Sequence, residues 1–424
     1  MNTKFETNIL KNGLVFKSLR NEHLHSVNIG IYARKIPESI CGIAHLTEHM
    51  FFRRLADIPQ RQLYFEIDKI GATLKGVTYS DFICLDITVA PQNVKAAFDI
   101  ISRAFCDFKW QTDEVNAEKQ VVKRQIEERY NSAYLKTDME YYFGTPKGKP
   151  IMGNISDVNK ISTKALNEYR RRVFSPNNCC VVMTGNFSDN DLIYCTDVLS
   201  KLAQTSKEKL PEYSIENFGN RDKGSDKIYK SNDGYSDVCI SFDVDEMSQN
   251  RYAAEILYSI VGFGVTSKLS QVLRESLGLI TDIGGNIEFT YGSGRMTFEF
   301  DVKNENLVQS LTAVFEVISR AKYDLTDNDL QSNITFYTDN QYRLLDDVRE
   351  LNFLIGWRGF IENENIDSID DLSKCYSDIT VNDIKTAAQK IFEAKNLTIT
   401  VSNDNKLLGT GKLAEIFEKV RKEL

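Results

Sequence analysis

Residues 42–54 read GIAHLTEHMFFRR and contain two of the four histidines in this 424-residue chain. His45 and His49 are four residues apart and Glu48 lies between them, in the pattern H-x-x-E-H. On an α-helix, residues i and i+4 lie one turn apart on the same face, so both imidazoles can reach one metal ion. Glu48 lies at the edge of that face, within reach of a water molecule at the metal. The stretch therefore predicts a helix that carries a metal site.

A helix whose histidines pack in a core or face solvent is the alternative interpretation. A histidine pair on its own would favour it, but histidine is rare elsewhere in this chain. The pattern matches the inverted zincin signature, whose chemistry is attack on a peptide bond by water that zinc activates. We therefore predict that His45 and His49 bind Zn2+.

The composition excludes several classes of protein. The net charge is -8 and no basic cluster is present, which argues against a nucleic-acid partner. No apolar run is long enough to span a bilayer, and the first residues lack the layout of a secretory signal, so we expect a cytoplasmic protein. The eight cysteines are scattered without a C-x-x-C pair, which favours reduced and mostly buried thiols.

The order of predicted elements indicates two similar halves. Strand patterns fill the first forty residues, followed by the H-x-x-E-H helix at about 41–54, a helix at 60–71 and further strands and helices. A similar order of elements recurs after a polar, aperiodic stretch that contains Pro and Gly. The prediction is an α+β fold with two homologous domains of α/β sandwich type. The predicted domains are 1–207 and 227–424, joined by a linker at 208–226.

Several segments resemble the M16 family of zinc peptidases, which includes pitrilysin, insulysin and the mitochondrial processing peptidases. GIAHLTEHMFF resembles the zinc helix of this family, and IDKIGATLKGVTYSDF (67–82) is similar to the segment that continues into its substrate-binding edge strand. GVTSKLSQVLRESLGL (264–279) resembles a stretch of its second unit. The resemblance covers essentially the whole chain and is closest to the short bacterial form. It implies that the chain is one half of a clamshell.

The third zinc ligand of the family is a glutamate about 76 positions after the second histidine. Here that position holds Gln125, in the segment EKQVVKRQI (118–126). An amide oxygen can coordinate zinc, but it lacks the charge attraction of a carboxylate. Glu118 is seven residues earlier, on the same helical face, and matches the supporting acidic position of the family. Glu127 and Glu128 point elsewhere on the helix.

Two further positions depart from the family pattern. Active members usually carry an Asn-Ala pair where this chain has Lys75 and Gly76, and Lys75 is expected to place a cation beside the zinc, which favours an acidic substrate or none. The strand residues expected to hold the substrate backbone are Lys75, Gly76, Val77 and Thr78. Tyr291 and Arg295 are weak candidates for the family's second-half Arg/Tyr pair, and an ordinary hairpin role is favoured for both.

The resemblance leaves two functional hypotheses. The first is a zinc-dependent endopeptidase in which Glu48 is the general base and peptides, such as leader segments or small bioactive peptides, are cleaved inside a dimeric chamber. The second is a non-catalytic or weakly active subunit that closes the chamber of a distinct active partner. Intact His45, Glu48 and His49 favour the first hypothesis, whereas Gln125 and the Lys75-Gly76 pair both favour the second. Both imply a homodimer or a heterodimer with another M16-like chain.

Overall fold

A computed structural model describes residues 3–129, 136, 139, 149–204, 226–230, 234–244, 251–290, 293–403 and 410–424. The chain divides into two compact units. Unit 1 consists of Met1–Tyr130, Lys149–Glu212 and Gln341–Leu372, and unit 2 of Asn131–Gly148, Tyr213–Asn340 and Ser373–Leu424. Both units combine helices with a β-sheet, which confirms the predicted α+β class.

Unit 1 is built on a six-stranded sheet. The strands up to residue 185 are β1 Glu6–Ile9, β2 Val15–Arg20, β3 Val27–Arg34, β4 Arg54–Leu55, β5 Ile58–Pro59, β6 Thr73–Thr78, β7 Phe82–Val89 and β8 Cys179–Gly185. The sheet has the order β1-β2-β8-β3-β7-β6, while β4 and β5 form a separate two-stranded ribbon. Among the strand pairs described in this sheet, only β2–β8 is parallel. In this order β6 is an edge strand, with backbone groups available on one side.

In the described residues 3–129 and 149–204, seven α-helices accompany these strands, and most of them cover one face of the sheet. They are α1 Ile43–Arg53, α2 Gln60–Lys69, α3 Val94–Ile101, α4 Thr112–Arg129, α5 Ile155–Lys160, α6 Thr163–Val173 and α7 Asp189–Ser200. Alternate residues of β3, Ile29 and Ile31, point into the core beneath these helices. The same core contains Leu46, Met50 and Phe51 of α1. Burial of this apolar side of α1 determines which side of the helix remains open.

The remaining elements follow residue 226. They are β9 Asp226–Lys230, β10 Tyr235–Val244, β11 Gly284–Thr290, β12 Ser293–Lys303 and β13 Leu397–Asn403, together with α8 Arg251–Gly262, α9 Lys268–Ser270, α10 Leu307–Ala321, α11 Asp327–Arg343, α12 Val348–Gly356, α13 Ile369–Ser377, α14 Val381–Ile391 and α15 Thr410–Glu423. The five strands form the sheet of unit 2 in the order β11-β12-β10-β13-β9. The predicted linker 208–226 lies outside the described residues apart from Asp226, the first residue of β9.

The segment Gln341–Leu372 groups with unit 1, although it lies in the second half of the sequence. The predicted second domain, 227–424, includes this segment. Leu351 and Ile355 of α12 pack on the second face of the unit 1 sheet, against Tyr32 and Val182. The close approach needs small residues, because a Cβ on Gly356 would lie 2.3 Å from the Tyr32 ring. The unit 1 sheet is therefore covered on both faces.

Two predictions from composition concern cysteines and membranes. All eight cysteines are free, and five of them are buried, as expected, but Cys106 is exposed. In the part of the chain that the structure describes, no helix has both the length and the apolar character that crossing a bilayer requires.

Candidate metal centre

The centre is built on α1, which presents one half-buried stripe from an otherwise buried helix. Gly42 precedes the helix with φ 89°, and a Cβ there would lie 2.5 Å from the carbonyl oxygen of Met152, so glycine is required at this position. Residues Ile43 to Phe51 are buried apart from His45 and His49. The stripe consists of His45, His49, Phe52 and Arg53. Its spacing of four, three and one residues is that of one helical face.

The two histidine rings lie side by side on this stripe. Their centroids are 4.5 Å apart and the ring planes cross at 65°. One nitrogen from each imidazole and one carboxylate oxygen of Glu48 all lie within 4.8 Å of one another. The i, i+4 spacing read from the sequence therefore brings the side chains together.

His49 is oriented by a carboxylate from α4. Its Nδ1 lies 2.8 Å from Glu118 Oε1, and the Nε of Arg53 donates to the other oxygen, Oε2. The guanidinium of Arg53 also donates from Nη1 to Gln60 Oε1 at 3.1 Å. With its Nδ1–H directed at a carboxylate, His49 has its Nε2 lone pair free for a metal ion, the usual arrangement of a ligating histidine.

Glu118 stays ionised in this setting. Burial raises the pKa of its carboxyl, but the hydrogen bonds from His49 and Arg53 outweigh burial and hold the pKa below the ordinary glutamate value. Arg53 is outside the H-x-x-E-H motif and is not among the predicted site residues. A signal was present, because Arg53 follows His49 by four residues and so lies on the same helical face.

The structure places Gln125 at the other histidine. Its Oε1 lies 3.3 Å from His45 Nε2, two turns of α4 beyond Glu118. Glu127 and Glu128 are exposed. The position that the family spacing assigns to the third ligand is therefore filled by a neutral amide oxygen.

Glu48 lies between the histidines and the edge strand. Its side chain is 9% exposed, and its Oε2 is 3.8 Å from His45 Nδ1 and accepts from Thr78 Oγ1 at 3.4 Å. Burial raises the pKa of Glu48, which the His49 imidazole and the Thr78 hydroxyl lower in part, while Glu118 raises it further. A carboxyl with a raised pKa is a better proton acceptor than an ordinary glutamate.

The edge strand β6 contacts the centre through alternate residues. A Cβ on Gly76 would lie 2.5 Å from Glu48 Oε1, so Gly76 covers that carboxylate directly. Successive strand residues point to opposite faces of a sheet, so Lys75 and Val77 face away from α1. In the register of β6 and β7, Lys75 lies opposite Asp86, a residue on the face of the sheet that α12 covers. The Lys75 side chain is exposed. The expectation that Lys75 places a cation beside the metal is therefore wrong.

The weak candidates from the second half belong to unit 2. Tyr291 lies outside the described residues. Arg295 is a buried residue of β12, and its Nε donates to Thr297 Oγ1 at 2.9 Å. Arg295 is thus a structural part of the unit 2 sheet.

The donor set fits a divalent ion such as zinc. Two imidazole nitrogens lie within 4.8 Å of each other, and the amide oxygen of Gln125 lies 3.3 Å from His45 Nε2. Glu118 holds the His49 tautomer that a ligand needs. Catalytic zinc sites commonly use three protein ligands of this kind and leave a fourth position open. A site of His45, His49 and Gln125 would differ from a His2Glu site in lacking the negative charge of the glutamate.

Comparison with known proteins gives matches over most of the chain. Residues 22–154 match the model of insulinase (peptidase family M16), and residues 160–335 match that of the peptidase M16 inactive domain. An uncharacterized zinc protease of Rickettsia bellii is 23% identical over 96% of this chain and 99% of its own length. The uncharacterized zinc protease YmxG of Bacillus subtilis is 24% identical over 76% of this chain and 80% of its own length.

A solved structure of a protease from Helicobacter pylori has the same fold. It superposes with a TM-score of 0.86 at 17% identity, covering 95% of this chain and 99% of that chain. At this level of identity the likeness concerns the fold alone.

Proposed function

Because the chain belongs to peptidase family M16, we propose that it is a zinc-dependent endopeptidase. The observation that carries the proposal is the cluster of His45, His49 and the buried carboxylate of Glu48, whose ligand atoms lie within 4.8 Å of one another. Gln125 adds an amide oxygen 3.3 Å from His45 Nε2. The names of the relatives, which are zinc proteases, agree with it.

The metal would be held by the nitrogens of His45 and His49 and by the amide oxygen of Gln125. Bound there, zinc supplies Lewis acidity, which polarises a carbonyl oxygen and lowers the pKa of water. Glu118 and Arg53 keep the His49 ring in the orientation that ligation needs.

Glu48 acts as the general base. Its carboxylate is adjacent to the ligands, and Thr78 holds one of its oxygens. It takes a proton from the attacking water and then delivers it to the leaving amine. Burial, which raises its pKa, suits it to both steps.

The substrate is a peptide that binds as an added strand along β6. The edge of this strand offers backbone groups to an extended chain, and strand addition gives affinity through main-chain hydrogen bonds. Gly76 covers Glu48, so a peptide on this edge runs beside the proposed base. The backbone of Lys75, Gly76, Val77 and Thr78 would make these bonds. We propose leader segments or small bioactive peptides as substrates.

We further propose that the chain works as a dimer, with a second copy or with another M16-like chain. Support comes from its resemblance to the family form in which one chain is half of a clamshell. Free cysteines throughout the chain support a reducing compartment, the cytoplasm. A monomer in sedimentation at working concentration would contradict the dimer.

A second candidate function is a non-catalytic or weakly active subunit that closes the chamber of an active partner. Gln125 favours it, because a neutral third ligand attracts a divalent cation less strongly than a carboxylate.

Zinc content and peptide cleavage, measured on the same preparations, separate the two functions. For an endopeptidase, the wild type holds about one zinc ion per chain, as a three-ligand site requires. Glu48→Gln then keeps the metal and loses at least about 100-fold in kcat. The control Glu127→Gln removes an exposed carboxylate of the same helix as Gln125 and leaves both unchanged. If the wild type has neither zinc nor activity while Gln125→Glu gains both, the subunit function holds instead.

A further inference from the structure

A cavity of about 120 Å3 lies in unit 1 on the face of the sheet opposite the metal centre. We call it the strand-edge cavity. Its floor consists of buried residues of β3 and β7, among them Asp86. Val77 and Tyr79, both half-buried, line it from β6 and from the turn that follows, and Arg349 and Glu350 line it from α12. The cavity therefore opens beside the edge strand, between β6 and α12.

Two hydrogen-bond donors at the cavity have no acceptor. The Tyr79 ring stacks on Phe82 with centroids 4.4 Å apart, and no group in the described part of the chain accepts from its hydroxyl. Arg349 binds Asp86 through Nε at 3.0 Å and Nη2 at 3.2 Å, which leaves Nη1 without an acceptor among these residues. Burial raises the pKa of Tyr79 to about 12, so its hydroxyl keeps the proton that it can donate. The cavity thus offers one O–H and one N–H to a ligand that brings an acceptor.

The polar groups of the floor are engaged with one another. The Tyr32 hydroxyl donates to Asn352 Oδ1 at 2.9 Å. The Nδ2 of Asn28 donates to Asp86 Oδ1 at 3.0 Å and to Thr88 Oγ1 at 2.8 Å. Both carboxylate oxygens of Asp86 therefore already accept hydrogen bonds, and a ligand meets mainly the two donors described above.

The charges around the cavity favour a neutral acceptor over a carboxylate. Asp86 and the exposed Glu350 carry two negative charges, against the single positive charge of Arg349. A carboxylate ligand would add a third negative charge and be repelled. The oxygen of a primary amide can accept from both donors without this repulsion, and its NH2 group can donate to the Glu350 carboxylate. The side chains of Asn and Gln carry this group.

The position of the cavity connects it with the edge strand. Gly76 and Thr78 face Glu48, and Val77, between them, faces the cavity. In a peptide paired with β6, side chains alternate between the two faces in the same way. If one residue lies over Glu48, its neighbour along the peptide points towards the cavity mouth.

We propose that the strand-edge cavity is a specificity subsite for an Asn or Gln side chain of the bound peptide, whose amide oxygen accepts hydrogen bonds from the Tyr79 hydroxyl and Arg349 Nη1. The cavity volume equals that of about four water molecules at about 30 Å3 each, enough for an amide group with its last methylene. This inference rests on the proposed function, because it requires a peptide on β6.

The test measures binding and does not depend on cleavage. Fluorescent peptides carry Gln, Glu, Lys or Leu at one position of an alanine-rich host, and that position is moved along the host residue by residue. Their affinity for the full-length Glu48→Gln chain, which keeps the metal ligands, is measured by anisotropy. At one register we expect the Gln peptide to bind about tenfold tighter than the other three, equivalent to about 1.4 kcal/mol. Lys and Leu bring no acceptor, and Glu brings a charge.

Two variants locate the preference in the cavity. Tyr79→Phe removes only the hydroxyl, so the preference for Gln over Leu should fall to about threefold or less while the Leu peptide binds as before. Val77→Trp fills the mouth from a half-buried position and should reduce the preference to about twofold or less. Tyr64→Phe is the matched control, since Tyr64 is an exposed tyrosine of α2 that does not line the cavity, and it should retain the preference.

A third variant tests the charge argument. Glu350→Gln removes the negative charge at the mouth, so the Glu peptide should bind at least about threefold tighter than it does to the parent chain. Asp346→Asn is the control, because Asp346 is an exposed acidic residue just before α12 that does not line the cavity. It should leave the affinity for the Glu peptide unchanged.

Equal affinities for all four peptides at every register, or no peptide binding, would overturn the subsite. A preference for Gln that persists in both Tyr79→Phe and Val77→Trp would overturn it as well. Cleavage by the zinc-loaded wild type without any preference for Gln would leave the endopeptidase proposal standing and remove the subsite. If the zinc-loaded wild type cleaves no peptide while the preference is present, the endopeptidase proposal fails and the subsite stands.

Discussion

The two histidines of the metal centre have different surroundings, although they are one helical turn apart. His49 is held by an ionised carboxylate, Glu118, which is in turn held by Arg53. His45 Nε2 lies 3.3 Å from the neutral amide oxygen of Gln125, also on α4. The centre therefore retains the charged support that orients a ligand but lacks the charge of the third ligand. Orientation of a ligand and attraction of the metal are thus separate properties, carried by different residues of one helix.

Removal of the carboxylate at the His49 end should have the largest effect. Glu118→Gln lets the His49 ring rotate, and we expect zinc affinity to fall by about 10–100-fold, the usual cost of a lost supporting partner. Competition with a chelating dye measures the affinity. The matched control is Glu114→Gln, since Glu114 is on the same helix but pairs with Arg54 outside the centre. Equal losses in both variants would mean that Glu118 acts only through the fold.

A charge added at the His45 end should have the second-largest effect. In Gln125→Glu the carboxylate attracts the divalent ion directly, and we expect zinc affinity to rise at least about tenfold, more than about 1.4 kcal/mol. Titration with zinc in the same dye competition measures the gain. An unchanged affinity would show that the side chain at position 125 does not reach the metal.

The guanidinium at the His49 end should have a smaller effect. Arg53→Gln removes one of the two groups that hold Glu118, and we expect zinc affinity to fall by about three- to tenfold, below the range for loss of the carboxylate itself. Arg53→Lys keeps the charge and should recover part of the affinity. Arg54→Gln, which breaks the neighbouring pair with Glu114, is the control and should leave affinity unchanged. A loss in Arg54→Gln as large as in Arg53→Gln would contradict a specific role.

Loss of the amide at the His45 end should have the smallest effect. Gln125→Ala removes a neutral oxygen ligand that a water molecule can replace, so we expect zinc affinity to fall by about threefold or less. Isothermal titration calorimetry measures both the affinity and the enthalpy. A loss as large as in Glu118→Gln would contradict the proposed asymmetry between the two ends.

Much of the centre followed from local periodicity. The H-x-x-E-H spacing predicted a shared helical face for the histidines, and the seven-residue spacing predicted one face of α4 for Glu118 and Gln125, which the structure brings to α1. The same spacing also places Arg53, four residues after His49, on this helical face. Its partner Glu118, however, comes from a helix 65 residues further along the chain, so its contact depends on packing.

The orientation of β6 could not be predicted from local sequence alone. Alternation alone predicts that Lys75 and Gly76 face opposite sides of β6, but it does not tell which side meets α1. The same limit applies to Gln341–Leu372, whose apolar residues pack on the sheet of unit 1 more than 300 residues from their partners in β3. An apolar stripe on a helix predicts that this face is buried, but it does not predict which element the face packs against.

The α+β class, the M16 resemblance and the residues available to hold a metal could all be predicted from motifs and from spacing along single helices and strands. Two features depend on tertiary contacts: Arg53 holds Glu118, and Lys75 faces away from the centre. These features arise from contacts between elements distant in sequence. Their geometry is set by how the two faces of the unit 1 sheet are packed, and no local pattern records that packing.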